Sequence, residues 1–172
     1  MVILDSTTLM LFFQPNAAPS TNPETKKPIE KCYERIELLI NSLSKARVRV
    51  MIPTPVLAEI LVAVGKDKAK ILDEINGSSA FKVQSFDQNA AIEVALLTDA
   101  DLQSGKRLKS PETKAKVKFD RQIIAIAKVN GVKTIYSDDI GLGKTARSNG
   151  ISVIETRNLP LPQLPPQGEL PL

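Results

Sequence analysis

The chain has 172 residues, 42% of them hydrophobic, with 23 Lys+Arg against 19 Asp+Glu, one cysteine and no histidine or tryptophan. The lack of histidine excludes Ser-His-Asp and Cys-His nucleophilic catalysis, histidine-ligated zinc and histidine acid–base pairs. A single cysteine, Cys32, excludes an internal disulfide or thiolate cluster and fits a reducing cytoplasm, while a formal charge of +4 permits a polyanionic partner without demanding one.

In chain order, Val2-Ile3-Leu4 is a short apolar run that predicts a buried strand. The whole apolar stretch from Met1 to Phe13 carries Asp5, has no basic leader and is too short to span a membrane, so neither a signal peptide nor a membrane anchor is expected. Pro15, Pro19, Pro23 and Pro28 mark residues 14–28 as a mobile surface loop. Ile36, Leu39, Ile40 and Leu43 recur at helical spacing within a helix expected over Ile29 to Ala46.

Val48 to Ile52 reads as a strand, stopped by Pro53-Thr54-Pro55, with Thr54 as N-cap and Pro55 in a first helical turn. Val56 to Val64 and Lys68 to Ile75 predict a helix pair punctuated by Gly65. Phe81 to Phe86 predicts a strand, and Asp87 caps a helix running to about Leu102. A helix over Phe119 to Val129 follows, then a strand over Val132 to Tyr136, a short helix from about Leu142 to Ser148 and a last strand over Ile151 to Ile154. Residues 158–172 form a proline-rich tail, so the expected organisation is a domain over 1–157 and an extended tail. Short, wholly apolar strands alternating with helices predict an α/β fold with a largely parallel sheet covered on both faces. Ligands of such sheets gather at the carboxyl ends of the strands.

The acids at those ends are therefore the candidates. Asp5 follows the first strand directly, as a helix N-cap, an acid at the ligand-binding edge, or both. Glu59 has Pro55, Val56, Val62 and Ala63 as its helical neighbours, a setting expected to dehydrate it and to call for a cation or a cleft, with a partly exposed surface glutamate as the other reading. Asp120 opens its expected helix, where the helix dipole alone would favour it. Asp138 and Asp139 follow the strand ending Ile-Tyr-Ser. Converging carboxylates repel unless protonated or bound to cations. An all-oxygen set without histidine or thiolate suits Mg²⁺ or Mn²⁺, whose main work with acids is phosphoryl transfer.

Four segments then resemble, in order, the PIN-domain ribonucleases, and within them the VapC-like toxins of type II toxin–antitoxin systems. They are Val-Ile-Leu-Asp-Ser-Thr-Thr-Leu with Asp5, Ile-Pro-Thr-Pro-Val-Leu-Ala-Glu-Ile-Leu with Glu59, Phe-Asp-Arg-Gln-Ile-Ile-Ala-Ile-Ala-Lys-Val-Asn-Gly with Asp120, and Ile-Tyr-Ser-Asp-Asp-Ile. The resemblance covers Val2 to Ile154, with the 14–28 loop and the tail as departures. It implies a three-layer α/β/α fold with about five strands, and catalytic acids Asp5, Glu59, Asp120 and Asp139.

The same resemblance implies metal held by Asp5, Asp120 and Asp139, with Asp138 substituting or assisting, and Ser6 and Ser137 as hydroxyls orienting the ligands. The implied activity is Mg²⁺- or Mn²⁺-dependent endonucleolytic cleavage of RNA, by a homodimer silenced by a small antitoxin. Lys106, Arg107, Lys109, Lys114, Lys116, Lys118 and Arg121 lead to Asp120 as a solvated basic run or an RNA track, with Lys116, Lys118, Arg121 and Lys144 as candidate backbone contacts. Few aromatic residues argue against extensive base stacking. Ile-Gly-Leu-Gly-Lys-Thr, residues 140–145, mimics the end of a P-loop, but its first glycine position is Asp138. From a different class, a PIN-like RNA-binding or protein-interaction scaffold without cleavage is the alternative.

Overall fold

The computed structural model describes residues 1–103 and 114–162. Its centre is a five-stranded sheet formed by β1 (Val2–Leu4), β2 (Val50–Pro53), β3 (Phe81–Gln84), β4 (Thr134–Tyr136) and β5 (Ser152–Ile154). All four pairings are parallel and the strand order is β3-β2-β1-β4-β5. β1 is central, with Ile3 registered against Met51 on one side and Ile135 on the other. Those three side chains are fully buried. This is why the strands carry apolar residues at consecutive rather than alternate positions.

Seven α-helices occur among the described residues: α1 (Ser6–Phe13), α2 (Cys32–Lys45), α3 (Thr54–Ala63), α4 (Lys68–Gly77), α5 (Gln88–Gln103), α6 (Lys114–Val129) and α7 (Ile140–Ser148). The chain moves one way across the sheet from β1 to β3, then returns past β1 to β4 and β5. Right-handed crossovers therefore put α1 to α4 on one face and α5 to α7 on the other. In agreement, α1 packs on α2 and α3, whereas α6 packs on α5 and α7. Ile36, Ile60, Ile124 and Ile126 fill the two helix–sheet layers without solvent exposure. This is the three-layer α/β/α arrangement expected from the sequence. No helix among the described residues is long and apolar enough to cross a membrane.

Several boundaries move. Thr54 is inside α3 and does not cap it; Pro53 holds the N-cap position. The Thr54 hydroxyl instead accepts a hydrogen bond from the Phe86 N–H at 3.0 Å, tying the start of α3 to the end of β3. α2 begins at Cys32 rather than Ile29, after Lys31 in the left-handed region with φ 50°. α6 is already helical at Lys114, so Asp120 lies in its second turn and not at its opening. The dipole account of that residue thus loses its basis, because the effect fades beyond the first turn.

Loop 14–28 is organised by its own polar groups. Asn22 Oδ1 accepts from the Glu24 N–H, and an antiparallel bridge joins Thr21 to Pro28. Glu24 pairs with Arg157 at 2.7 Å. The segment leaving β5 is held too: Arg35 donates to the carbonyls of Arg157 and Leu159, and Leu159 is buried. Of the expected tail, residues 163–172 lie outside the described residues, as do Lys106, Arg107 and Lys109 of the basic run.

Candidate functional site

The sheet order reverses between β1 and β4, and the crevice at the carboxyl ends of such strands is where open α/β sheets bind ligands. Asp5 leaves β1 there, and Ser137, Asp138 and Asp139 leave β4. A cavity of about 410 Å³ opens at this point, lined by Asp5, Glu59, Asp120 and Asp139 together with Ser6, Thr7 and Lys116. Four separate elements thus bring four of the sequence-predicted acids to one space.

Asp5 is only 5% exposed. Its Oδ1 caps α1 by accepting from the Thr8 N–H at 2.8 Å, and its Oδ2 accepts from the Ser137 hydroxyl. Both sequence readings of Asp5 therefore hold geometrically: it caps a helix and it faces the cavity. Burial pushes its carboxyl up to about 6, against the lowering effect of the hydrogen bonds from Ser137 and Thr8. Ser137 is itself buried, and its oxygen also accepts from the Asp139 N–H at 3.0 Å. One hydroxyl therefore links the acids at the ends of two neighbouring strands, from behind the cavity rather than on its wall.

Asp139 caps α7 through the Leu142 N–H at 2.8 Å. The Lys116 ammonium stands 2.9 Å from its Oδ1 and 2.8 Å from its Oδ2. Burial alone would raise this carboxyl, but the Lys116 ammonium and the N–H groups of Leu142 and Gly141 hold it below the usual carboxylate range. Lys116 also approaches Asp120 Oδ2 at 3.7 Å, one helical turn along α6. Asp120 is buried on the inner face of that helix.

Glu59 lines the cavity and takes the exposed rather than the dehydrated of its two expected environments. Of its helical neighbours, Pro55 and Val56 one turn before it are buried, but Val62 one turn after it is 79% exposed and Ala63 is exposed as well. An outward apolar face on α3 made periodicity a false guide to burial.

Asp138 does not line this cavity, although its charge reaches Asp5 and adds to the rise of that carboxyl. Asp138 Oδ1 accepts from the Thr156 N–H at 2.7 Å, and the residue lines a separate small pocket with Pro23, Arg147 and Glu155. Of the two adjacent aspartates, Asp139 is the one that faces the acid-lined cavity. Among the candidate backbone contacts, Lys116 is inside the site, Lys118 and Lys144 are exposed, and Arg121 is half-buried. The P-loop-like residues from Ile140 onward are helical, so they form no phosphate-cradling loop.

The donor set is all oxygen, which suits a hard cation, yet among the described residues no three acids stand close enough to hold one as placed. Lys116 occupies the ground between two of them. This internal pairing went unread in the sequence. The Lys116–Asp120 spacing of four is a visible helical pair, but the approach to Asp139 depends on the fold.

No family model matches the chain, and no curated protein matches its sequence. Among solved structures, a chain of DNA-bound VapBC from Salmonella typhimurium aligns with 90% of this chain and 97% of its own length, with a TM-score of 0.57 and 16% identity. At that identity the likeness is one of architecture: the protein has a PIN-like α/β fold, with its acid-lined cavity at the switch point of the sheet.

Proposed function

We propose that this chain is a Mg²⁺- or Mn²⁺-dependent endoribonuclease and the toxin of a toxin–antitoxin pair. The observation that carries the reading is the convergence of Asp5, Glu59, Asp120 and Asp139 on one cavity at the carboxyl edge of the sheet. In a histidine-free site these carboxylates are the groups suited to hold a hard divalent cation. When bound, the cation supplies charge stabilisation at a phosphodiester and acidifies a water.

The chain's own residues divide the remaining work. Asp5, Asp120 and Asp139 are the holding groups, the first and last fixed in orientation by Ser137 and by the helices that they cap. Glu59, the one exposed acid of the four on the cavity wall, suits accepting a proton or orienting water. Ser6 and Thr7 add hydroxyls to the same wall. Exposed Lys118 and Lys144 would follow an RNA backbone and make affinity salt-sensitive.

The toxin role draws on the architecture shared with a chain of VapBC. A small antitoxin is the corresponding protein partner. A homodimer is supported by apolar side chains left exposed on α3 and α5, namely Val62, Ile92 and Leu96. A cytoplasmic setting fits the buried free thiol of Cys32. A non-catalytic scaffold is the second reading, favoured by one observation: Lys116 already neutralises part of the acid set without a metal.

RNA cleavage decides between them. Native protein should cut RNA with Mn²⁺ or Mg²⁺ and stop on chelation, while Asp120→Asn should be inactive but folded. Cleavage that survives chelation, or equal cleavage by the variant, would sink the metal-dependent reading. Growth arrest on expression of the native chain, but not of Asp120→Asn, tests the toxin role.

A further inference from the structure

We infer that Lys116 is a built-in counter-cation of the site, standing between Asp120 and Asp139 where a divalent cation would be held and leaving when one binds. The inference rests on the metal-dependent reading above. Its basis is positional. The Lys116 ammonium lies 2.9 and 2.8 Å from the two oxygens of Asp139 and 3.7 Å from Asp120 Oδ2. It therefore engages both oxygens of one acid and reaches the nearer oxygen of another, inside the cavity lined by all four acids.

An ammonium and a divalent cation cannot share those oxygens, because two positive centres a few ångströms apart repel strongly in a partly buried site. Displacement is mechanically open. The lysine side chain is 38% exposed, and its flexible four-carbon stem lets the charge swing outward while α6 stays in place. Lysine suits this better than arginine, whose planar fork would lock onto the carboxylate.

In this state Lys116 removes the mutual repulsion of Asp120 and Asp139 and lets the metal-free chain keep its acids together. The consequence is competition: every divalent cation that enters displaces a bond already made. Once displaced, the ammonium remains tethered one helical turn from Asp120, at the wall of the cavity, where it meets an incoming phosphate. An ordinary surface pairing between Lys116 and Asp120 on α6 predicts no such competition.

The test is Mn²⁺ titration of the chelator-stripped full chain by calorimetry, comparing native protein with Lys116→Gln, Lys116→Met and Lys116→Arg. Lys116→Met keeps the aliphatic stem and guards against loss of packing. Removing the charge should tighten Mn²⁺ binding by roughly three- to tenfold, the scale of one partly exposed ion pair. Lys116→Arg should stay near native or bind more weakly. Without metal, Lys116→Gln should melt below native, and Mn²⁺ should raise its melting temperature by more than it raises the native one. Native protein that binds Mn²⁺ while the neutral variants bind no tighter overturns the counter-cation and leaves the metal site standing. If neither native nor neutral variants bind Mn²⁺, the metal-dependent reading itself falls, and the inference with it.

Discussion

Asp5→Asn is the substitution in which folding and chemistry should part most clearly. Asp5 is buried and its carboxyl is pushed from 3.8 to about 6. A group held that high in the fold binds its proton more tightly folded than unfolded. The stability it allows is therefore complete below about 3.8 and is lost as pH rises through 6. The rise spans about two pH units, so the ionised carboxylate costs the metal-free fold about 3 kcal/mol at pH 8.

Asparagine cannot ionise, so that cost disappears. Its carbonyl oxygen can still accept the Thr8 N–H that Asp5 Oδ1 accepts now. Its amide, however, must donate where Oδ2 accepts now, so the Ser137 hydroxyl has to turn and loses Asp5 as its acceptor, at a cost of about 1 kcal/mol. In chelator, the variant should thus be about 2 kcal/mol more stable than native at pH 8, or about 4–8 °C in melting temperature for a chain of this length. The gap should narrow below pH 6 and reverse near pH 4, where native Asp5 is protonated and keeps its better hydrogen bond. Thermal melts followed by circular dichroism across that range, with and without Mn²⁺, read out the effect. Mn²⁺ should raise the native melting temperature more than that of the variant. A variant less stable than native at pH 8 without metal would refute the claim that burial dominates at Asp5.

Three further outcomes follow from the same geometry. Glu59→Gln should change stability by no more than about 0.5 kcal/mol, since the residue is exposed, yet lower RNA cleavage by at least about 100-fold in a gel assay. Ser137→Ala removes the hydroxyl that joins Asp5 to the Asp139 N–H. It should destabilise the fold by about 1–3 kcal/mol and move the Asp5 carboxyl still higher, because the Ser137 hydrogen bond lowers it now; NMR titration of the carboxyl carbon measures that shift. Leu96→Glu should leave the fold intact, as the side chain is 58% exposed, but convert the proposed homodimer to monomer by light scattering.

The sequence made the sheet legible because Val2-Ile3-Leu4 and the run ending at Ile52 are buried on both faces, and consecutive apolar residues report just that. The acids at β1 and β4 were legible for a related reason: a polar residue ending an apolar run must lie at the strand's end. For Glu59 the element is legible and the choice between a dehydrated and an exposed environment is not. Pro55 and Val56 on one side of it are buried while Val62 and Ala63 on the other are exposed, and nothing local distinguishes an exposed Val62 from a core valine. The apolar face begins at Phe119 and so suggests a helix start at Asp120, whereas α6 extends upstream to Lys114 through a lysine-alternating stretch, Lys-Ala-Lys-Val-Lys, that carries no helical apolar stripe. The Lys116–Asp139 contact joins residues 23 apart in sequence across two elements, and no local pattern encodes it.

The central position of β1 has a consequence for synthesis of the chain. The strand that carries Asp5 pairs with β2 early in the sequence, but its other neighbour is β4, whose residue 135 registers against residue 3. Contacts so distant along the chain form late, and vectorial synthesis delays them further. A nascent chain that has not yet reached residue 120 holds Asp5 and Glu59 but lacks Asp120, Ser137 and Asp139. While it is still threaded through a ribosome and surrounded by RNA, such a chain has half a site. The cavity closes only when β4 inserts beside β1, so the topology itself delays the appearance of the acid cluster until β4 has been made.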